Sequence, residues 1–298
     1  MVAASRSRKA NKARMLVVDD EPDNLDLLYR TFRRDFNVLR AESGQQALDV
    51  LAEHGEVAVI ISDQRMPEMK GTEFLSKTVP EFPDTVRIIL TGFTDVEDLV
   101  DAINAGQVYR YITKPWDPDQ LKHVVEQAAQ TYELLKQRGE AIDLSQSQQL
   151  LVTRMAEVAQ TASDIKEALP AIAEIIQTTI RCHGSIVHLV TGESLGALSA
   201  TTGEVNAAIL KEDPLVSSAI ADRKIQLCRN TTSNLNLEVN ASYNASDVKA
   251  YCLAPVLFRD AVTAIVALQW QEPQEFSKTT QDLVLLAAKQ TGLTLACL

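Results

Sequence analysis

The chain has 298 residues, 46% hydrophobic and 23% charged, which suits two globular domains with a core each and excludes a largely disordered chain. A formal charge of −11 disfavours direct nucleic-acid binding, and the one basic cluster, Arg6, Arg8, Lys9, Lys12 and Arg14, reads as a solvated tail over 1–13. No apolar run suits a membrane span or a secretory signal, and Cys182, Cys228, Cys252 and Cys297 lack the close pairing of a zinc or redox site. A cytoplasmic protein with reduced thiols is expected.

From residue 14, short apolar runs alternate with helical patterns, the mark of a parallel sheet covered by helices. Strands are predicted at Met15–Val18, which ends in Asp19-Asp20, and at Asn37–Ala41. A third, Val57–Ile61, is apolar throughout, as a strand buried on both faces should be, and ends at Ser62-Asp63. Val86–Leu90 ends in Thr91-Gly92, and Tyr109–Thr113 ends in Lys114-Pro115. Helices are predicted at Pro22–Arg33 and Gln45–Glu53. A long helical pattern from Asp119 to about Arg138 carries a stripe of Leu121, Val124, Val125, Ala128, Tyr132 and Leu135. That stripe either docks on its own sheet or pairs with a second chain as a parallel coil. Gly139 and the polar patch Ser145–Gln149 leave open whether the helix continues through the linker, placed at 137–150.

From about 151 the pattern changes to a helix at Ala168–Ile180, strands at Ser185–Val190 and Leu195–Thr201, a helix at Pro214–Ala221 and a short strand at Ile225–Cys228. An Asn-rich loop over 229–247 precedes two strands, Ala250–Leu257 and Ala261–Gln269, joined by Phe258-Arg259-Asp260, and a final helix, Lys278–Leu295. Strands paired through a short turn, with helices before and after, indicate an antiparallel α+β sandwich.

In an open parallel sheet the loops at the carboxyl ends of the strands build the functional crevice. Here those ends carry Asp19, Asp20 and Asp63, whose mutual repulsion calls for a cation, and an all-oxygen acidic site suits Mg²⁺. Thr91 and Lys114 offer a hydroxyl and an ammonium to phosphoryl oxygens. Each pair taken alone is a turn, a cap or a surface break; together, on four strand ends, they specify a phosphoryl site.

Over about residues 14–136 the chain resembles the receiver domain of bacterial response regulators, through Asp19-Asp20, Ser62-Asp63-Gln64-Arg65-Met66-Pro67 with Gly71, Thr91-Gly92, and Tyr109-Arg110-Tyr111-Ile112-Thr113-Lys114-Pro115. The resemblance implies a flavodoxin-like, doubly wound α/β fold with a five-stranded parallel sheet. It implies Asp63 as the phospho-acceptor for a histidine kinase, and Mg²⁺ held by Asp19, Asp20, Asp63 and the Arg65 carbonyl, Asp20 directly and Asp19 largely through water. Thr91 and Lys114 would bind the phosphoryl group, and Thr91 and Tyr111 would form the switch, read out on the surface of the fourth strand, its helix and the fifth strand.

Residues 151–298 resemble a GAF domain in the order of elements and in Val248–Leu257 followed by Val262–Leu268. Members of that family bind cyclic nucleotides, bilins, haem or other small molecules, or only dimerise. Cys182-His183 precedes the first strand of the module, too early for a bilin-anchoring pair. His188, in mid-strand, faces either pocket or core. The implied protein is a response regulator signalling through the linker helix and the GAF-like module by protein contacts or as a homodimer. The alternative is a regulatory subunit of an enzyme, or a small-molecule sensor gated by the receiver. With no P-loop, metal-binding His-Asp pattern or cyclase motif after residue 136, no catalytic output is expected.

Overall fold

The computed structural model describes residues 12–92, 108–233 and 247–298. The chain divides between Glu140 and Ala141 into two units. In the first, β1 (Arg14–Val18), β2 (Asn37–Ala41), β3 (Val59–Asp63), β4 (Val86–Thr91) and β5 (Arg110–Thr113) form one parallel sheet in the order β2-β1-β3-β4-β5. Between the strands lie α1 (Pro22–Phe32), α2 (Gly44–His54) and α3 (Gly71–Thr78). The expected flavodoxin-like sheet is therefore present. Helix α3 was not anticipated: its short segment, GTEFLSKT, gives too little length for periodicity to register.

Local chemistry explains the helices. Pro22 opens α1, where a missing N–H costs nothing, and Leu25, Leu28 and Phe32 bury one face. The Ser43 hydroxyl accepts from the Gln46 N–H to cap α2, which ends at Gly55 with φ of 74°. Strand residues alternate between two cores. Met15, Val17, Val59, Ile61, Ile88 and Leu90 pack under α1, while Leu16, Val18, Ile60 and Ile89 pack under α2 and α3. Each fully buried aliphatic side chain contributes about 1.5–3 kcal/mol, so the sheet is locked from both faces. Strand β3 starts two residues later than expected and runs through Asp63; Val57 and Ala58 are buried ahead of the ladder, a register that an all-apolar run does not disclose.

Helix α4 (Pro118–Thr161) is continuous through Gly139 and the polar patch. Its stripe of Leu121, Val124, Val125 and Ala128 is buried on the first unit's own sheet, which decides that alternative for this segment. About two turns further, Lys136 meets Glu56 at 2.7 Å and Asp84 at 3.2 Å, tying the helix to two loops at the amino end of the sheet.

The second unit has a five-stranded antiparallel sheet in the order β7-β6-β10-β9-β8, from β6 (Gly184–Thr191), β7 (Ser194–Gly203), β8 (Gln226–Cys228), β9 (Ala250–Phe258) and β10 (Ala261–Trp270). The end of α4, with Leu151 and Met155, covers one face together with α5 (Ile165–Ile180) and α8 (Lys278–Ala296). The other face carries α6 (Ile209–Glu212) and α7 (Pro214–Asp222). From Ala250 to Val256 on β9 and from Ala264 to Trp270 on β10 the even-numbered residues face the α5 and α8 side, while Tyr251, Leu253, Ile265 and Ala267 face α7. The expected loop over 229–247 begins with a short 3₁₀ turn at Thr231–Ser233; most of it, like the tail to residue 11 and the helix expected between β4 and β5, lies outside the described residues. No helix among the described residues is long and apolar enough to cross a membrane.

Candidate functional site

Strand register assembles the pocket. Val18 pairs with Ser62, so Asp19 and Asp63 leave neighbouring strands at the same end. Thr91 pairs with Thr113, and the Lys114 N–H donates to the Thr91 carbonyl at 2.7 Å, setting the lysine beside that threonine. Asp20, Asp63, Arg65, Thr91 and Lys114 line one cavity of about 250 Å³, with Glu21 and Gln64.

Asp19 is fully buried and well satisfied. Its Oδ1 accepts from the Glu21 N–H and the Asn24 amide, each at 3.0 Å, and its Oδ2 accepts from Lys114 Nζ at 3.1 Å. It thus serves the amino end of α1 as well as the pocket. Asn24, one turn into α1, was not singled out in the sequence; its spacing of five residues from Asp19 was the available signal. Asp20 stands exposed at the rim.

Asp63 is buried; its Oδ2 accepts from the Arg65 N–H at 2.8 Å, and its Oδ1 forms an ion pair with Lys114 Nζ. The loop after it is pinned by Gln64, whose side chain accepts from the Thr72 N–H at 3.1 Å, and whose carbonyl accepts from the Gly71 N–H. A Cβ on Gly71 would lie 2.1 Å from the Asp63 carbonyl oxygen, so only glycine fits. Thr91 is buried and its hydroxyl donates to the adjacent Gly92 carbonyl at 3.1 Å. Tyr111 is 39% exposed, with its side chain away from the core.

The electrostatics follow from one cation shared by two buried acids. Burial is the largest influence on Asp63 and pushes its carboxyl above the ordinary range; the Lys114 bond and charge pull it down, Asp19 raises it, and the Arg65 N–H lowers it. Burial also pulls the Lys114 ammonium down, but its bond to Asp63 and the charges of both acids outweigh that and raise it. The lysine stays charged, yet it does not return Asp63 to the usual carboxylate range. Four acids, Asp19, Asp20, Glu21 and Asp63, against two cations, Lys114 and Arg65, leave the pocket negative, and the atoms that could ligate a metal are oxygens, the chemistry of a hard divalent cation. As the side chains stand, Lys114 occupies the space between Asp19 and Asp63, and no three acidic, His or Cys side chains among the described residues converge on one metal position.

In the second unit, His188 is buried, and its Nε2 lies 2.8 Å from the Gly196 carbonyl, which can only accept. It lines a cavity of about 390 Å³ with Lys211 and Asp213. Cys182 is also buried, which pushes its thiol up to about 12, so the adjacent Cys182-His183 pair offers no ready nucleophile.

Residues 15–126 match the response regulator receiver domain. The hydrogenase transcriptional regulatory protein HoxA of Cupriavidus necator is 43% identical over 119 residues, 40% of this chain and 24% of that protein. The chain thus spans about a quarter of that relative's length. A chemotaxis protein CheY homolog of Campylobacter jejuni is 36% identical over 117 residues, 38% of this chain and 89% of its own. A receiver domain crystal structure from Clostridium thermocellum is 30% identical, covering 41% of this chain and 98% of that one, with a TM-score of 0.39. The strand-end acids, the shared lysine and these sequence relationships converge: through its first unit, the chain belongs to the response regulator receiver family of two-component systems.

Proposed function

We propose that the first unit accepts a phosphoryl group on Asp63 from a histidine kinase, and that the phosphorylated pocket alters protein contacts made through α4 and the second unit. The observation that carries this reading is the Lys114 ammonium shared by buried Asp19 and Asp63, with Asp63, Thr91 and Lys114 lining one cavity. The Asp63 carboxylate attacks phosphorus in line; an Asp63 oxygen–phosphorus bond forms as the bond to the donor breaks. Lys114 then shifts from balancing carboxylates to balancing phosphoryl oxygens. Mg²⁺ fits the donor set in kind: Asp19, Asp20, Asp63 and the Arg65 carbonyl would hold it, and when bound it supplies charge neutralisation on those oxygens.

Among the described residues, the Thr91 hydroxyl is held by a bond to its own neighbour's carbonyl, a weak restraint that a dianion on Asp63 can outcompete. Its inward turn frees space for the exposed Tyr111, and the surface around β4 and β5 changes shape. The test is incubation with an acyl phosphate and Mg²⁺, followed by intact mass. Wild type is expected to gain one phosphoryl group and Asp63→Asn none; an unlabelled wild type, or equal labelling of both, defeats the reading.

A second reading, that a small molecule gates the output, draws support from the second unit. The His188 cavity adjoins another of about 810 Å³, the two sharing Glu193, Ser217 and Ile220 on the α7 side of the sheet. That position agrees with the GAF-like reading of residues 151–298. Native mass spectrometry of freshly purified protein decides it: a co-purified small molecule lost on Ser217→Trp supports gating, and bare protein speaks against it.

A further inference from the structure

Gln64, the residue after Asp63, is 2% exposed and commits its backbone and its side chain to the fold. Its N–H donates to the Leu90 carbonyl of β4 at 3.0 Å, and its carbonyl accepts from the Gly71 N–H at 3.1 Å. Its side chain clasps Thr72 twice: Oε1 accepts from the Thr72 N–H at 3.1 Å, and Nε2 donates to the Thr72 hydroxyl at 3.3 Å. Gly71 and Thr72 open α3, and their N–H groups are among those a helix start leaves without a partner inside the helix. Lys70, at the N-cap, makes no capping bond with its side chain, which carries no acceptor. Gln64 therefore caps α3 from outside the helix.

Between these stitches the chain passes through 65–70. Glu68 has φ of 65°, a left-handed backbone that a glutamate adopts only when its surroundings impose it. Arg65 lies between two anchors. Met66, on one side, is buried in the core under α2 and α3, but a flexible thioether fixes direction poorly. Gln64, on the other side, is held by hydrogen bonds, which do fix direction. The peptide between them has two tasks at the pocket. Its Arg65 N–H donates to Asp63 Oδ2 at 2.8 Å, and the Arg65 carbonyl is the backbone oxygen assigned above to Mg²⁺.

We propose that Gln64 is a positioning residue that sets the divalent-cation affinity of the pocket, by holding the Arg65 peptide in one place through its clasp on Thr72. The inference rests on the reading of Asp63 as a metal-dependent phospho-acceptor and adds to it a residue that touches neither the metal nor the transferred group. A cap alone would act on stability and leave the affinity of the folded pocket unchanged. A residue that orients a ligand acts on the affinity itself, typically by about 10–100-fold.

The test is Mn²⁺ binding to the full chain without phosphodonor, followed by loss of the free ion's paramagnetic resonance signal. Mn²⁺ shares the oxygen preference of Mg²⁺. Asp20→Asn marks the site, and is expected to abolish the binding. Gln64→Leu is expected to raise the half-saturating concentration roughly ten-fold. Thr72→Val, which keeps the N–H bond and loses the hydroxyl, raises it less, and Thr72→Ser restores the wild-type value. In acyl-phosphate labelling of Asp63, the Mg²⁺ requirement of Gln64→Leu rises in step, while its rate at saturating Mg²⁺ stays within about two-fold of wild type. A folded Gln64→Leu with wild-type half-saturation overturns the proposal, as does a labelling loss that saturating Mg²⁺ fails to restore. Should Gln64→Leu not fold, an unchanged half-saturation in Thr72→Val has the same force. Wild type that holds no Mn²⁺, or holds it equally as Asp20→Asn, also overturns it. Wild type that binds Mn²⁺ at this site yet takes no label counts against the phosphorylation reading, and the Gln64→Leu comparison still decides this one.

Discussion

At the scale of single residues, the site is a compromise between burial and charge. Asp63 binds its proton more tightly in the folded chain than in the unfolded one, chiefly because it is buried. The unfolded chain therefore loses that proton first as pH rises, and stability falls from the ordinary carboxylate value of 3.8 up to the raised folded value. Asp63→Asn removes the cost. In chelator at pH 7 it is expected to melt at a higher temperature than wild type, a difference that vanishes below the ordinary carboxylate range. Calorimetry across that pH window checks the sign. Gly71→Ala runs the other way: its Cβ meets the Asp63 carbonyl at 2.1 Å, and backbone cannot yield as a side chain would. A loss of roughly 2–4 kcal/mol in urea unfolding is expected, together with slower labelling of Asp63. The acids, threonine and lysine of this site were all legible from their places at strand ends. The support given by Asn24 to Asp19 and by Thr72 to Gln64 was not, because such hydrogen bonds depend on how a helix start meets a strand end.

At the scale of elements, α4 is the unusual feature. It is anchored by Leu121–Ala128 and the Lys136 ion triad at one end, and by Leu151 and Met155 at the other. Bonding to Glu56 is the first cause of the raised Lys136 affinity for its proton, so this lysine stays charged at any physiological pH. Between the anchors lies Gly139, where an added Cβ would meet nothing within 4 Å. Nothing in the packing requires glycine there, and glycine inside a helix costs about 1 kcal/mol against alanine. Gly139→Ala is therefore expected to slow amide exchange over 137–147 by roughly five-fold, with exchange in β1 and β3 unchanged; equal exchange in both proteins would show that the anchors alone hold the segment. Sequence pattern left the helix open at this point, since a glycine and a Ser- and Gln-rich patch lower propensity without forbidding the conformation. The anchors on either side carry it through, and they are tertiary contacts.

At the scale of the whole molecule, the hydrophobic clusters separate cleanly: two sandwich the parallel sheet and two sandwich the antiparallel one, with no residue in common. Two cooperative unfolding events are expected by calorimetry. Mg²⁺ at a hundred-fold excess over its dissociation constant should stabilise the receiver event by about 2.7 kcal/mol and leave the other in place. A single transition that shifts as one would contradict the independence of the cores. What the amino-acid order determined by itself was the alternation of elements, the chemistry of the strand ends and the membership of the first unit, since periodicity and the residues that terminate strands are local properties. Only the tertiary structure decided that Lys114 is shared between Asp19 and Asp63, that α4 runs unbroken, and that its stripe is buried as far as Ala128 and bare at Leu135 and Ile142. Those outcomes depend on where a sheet ends in space and which side chains meet across strands, relationships between residues far apart in the chain.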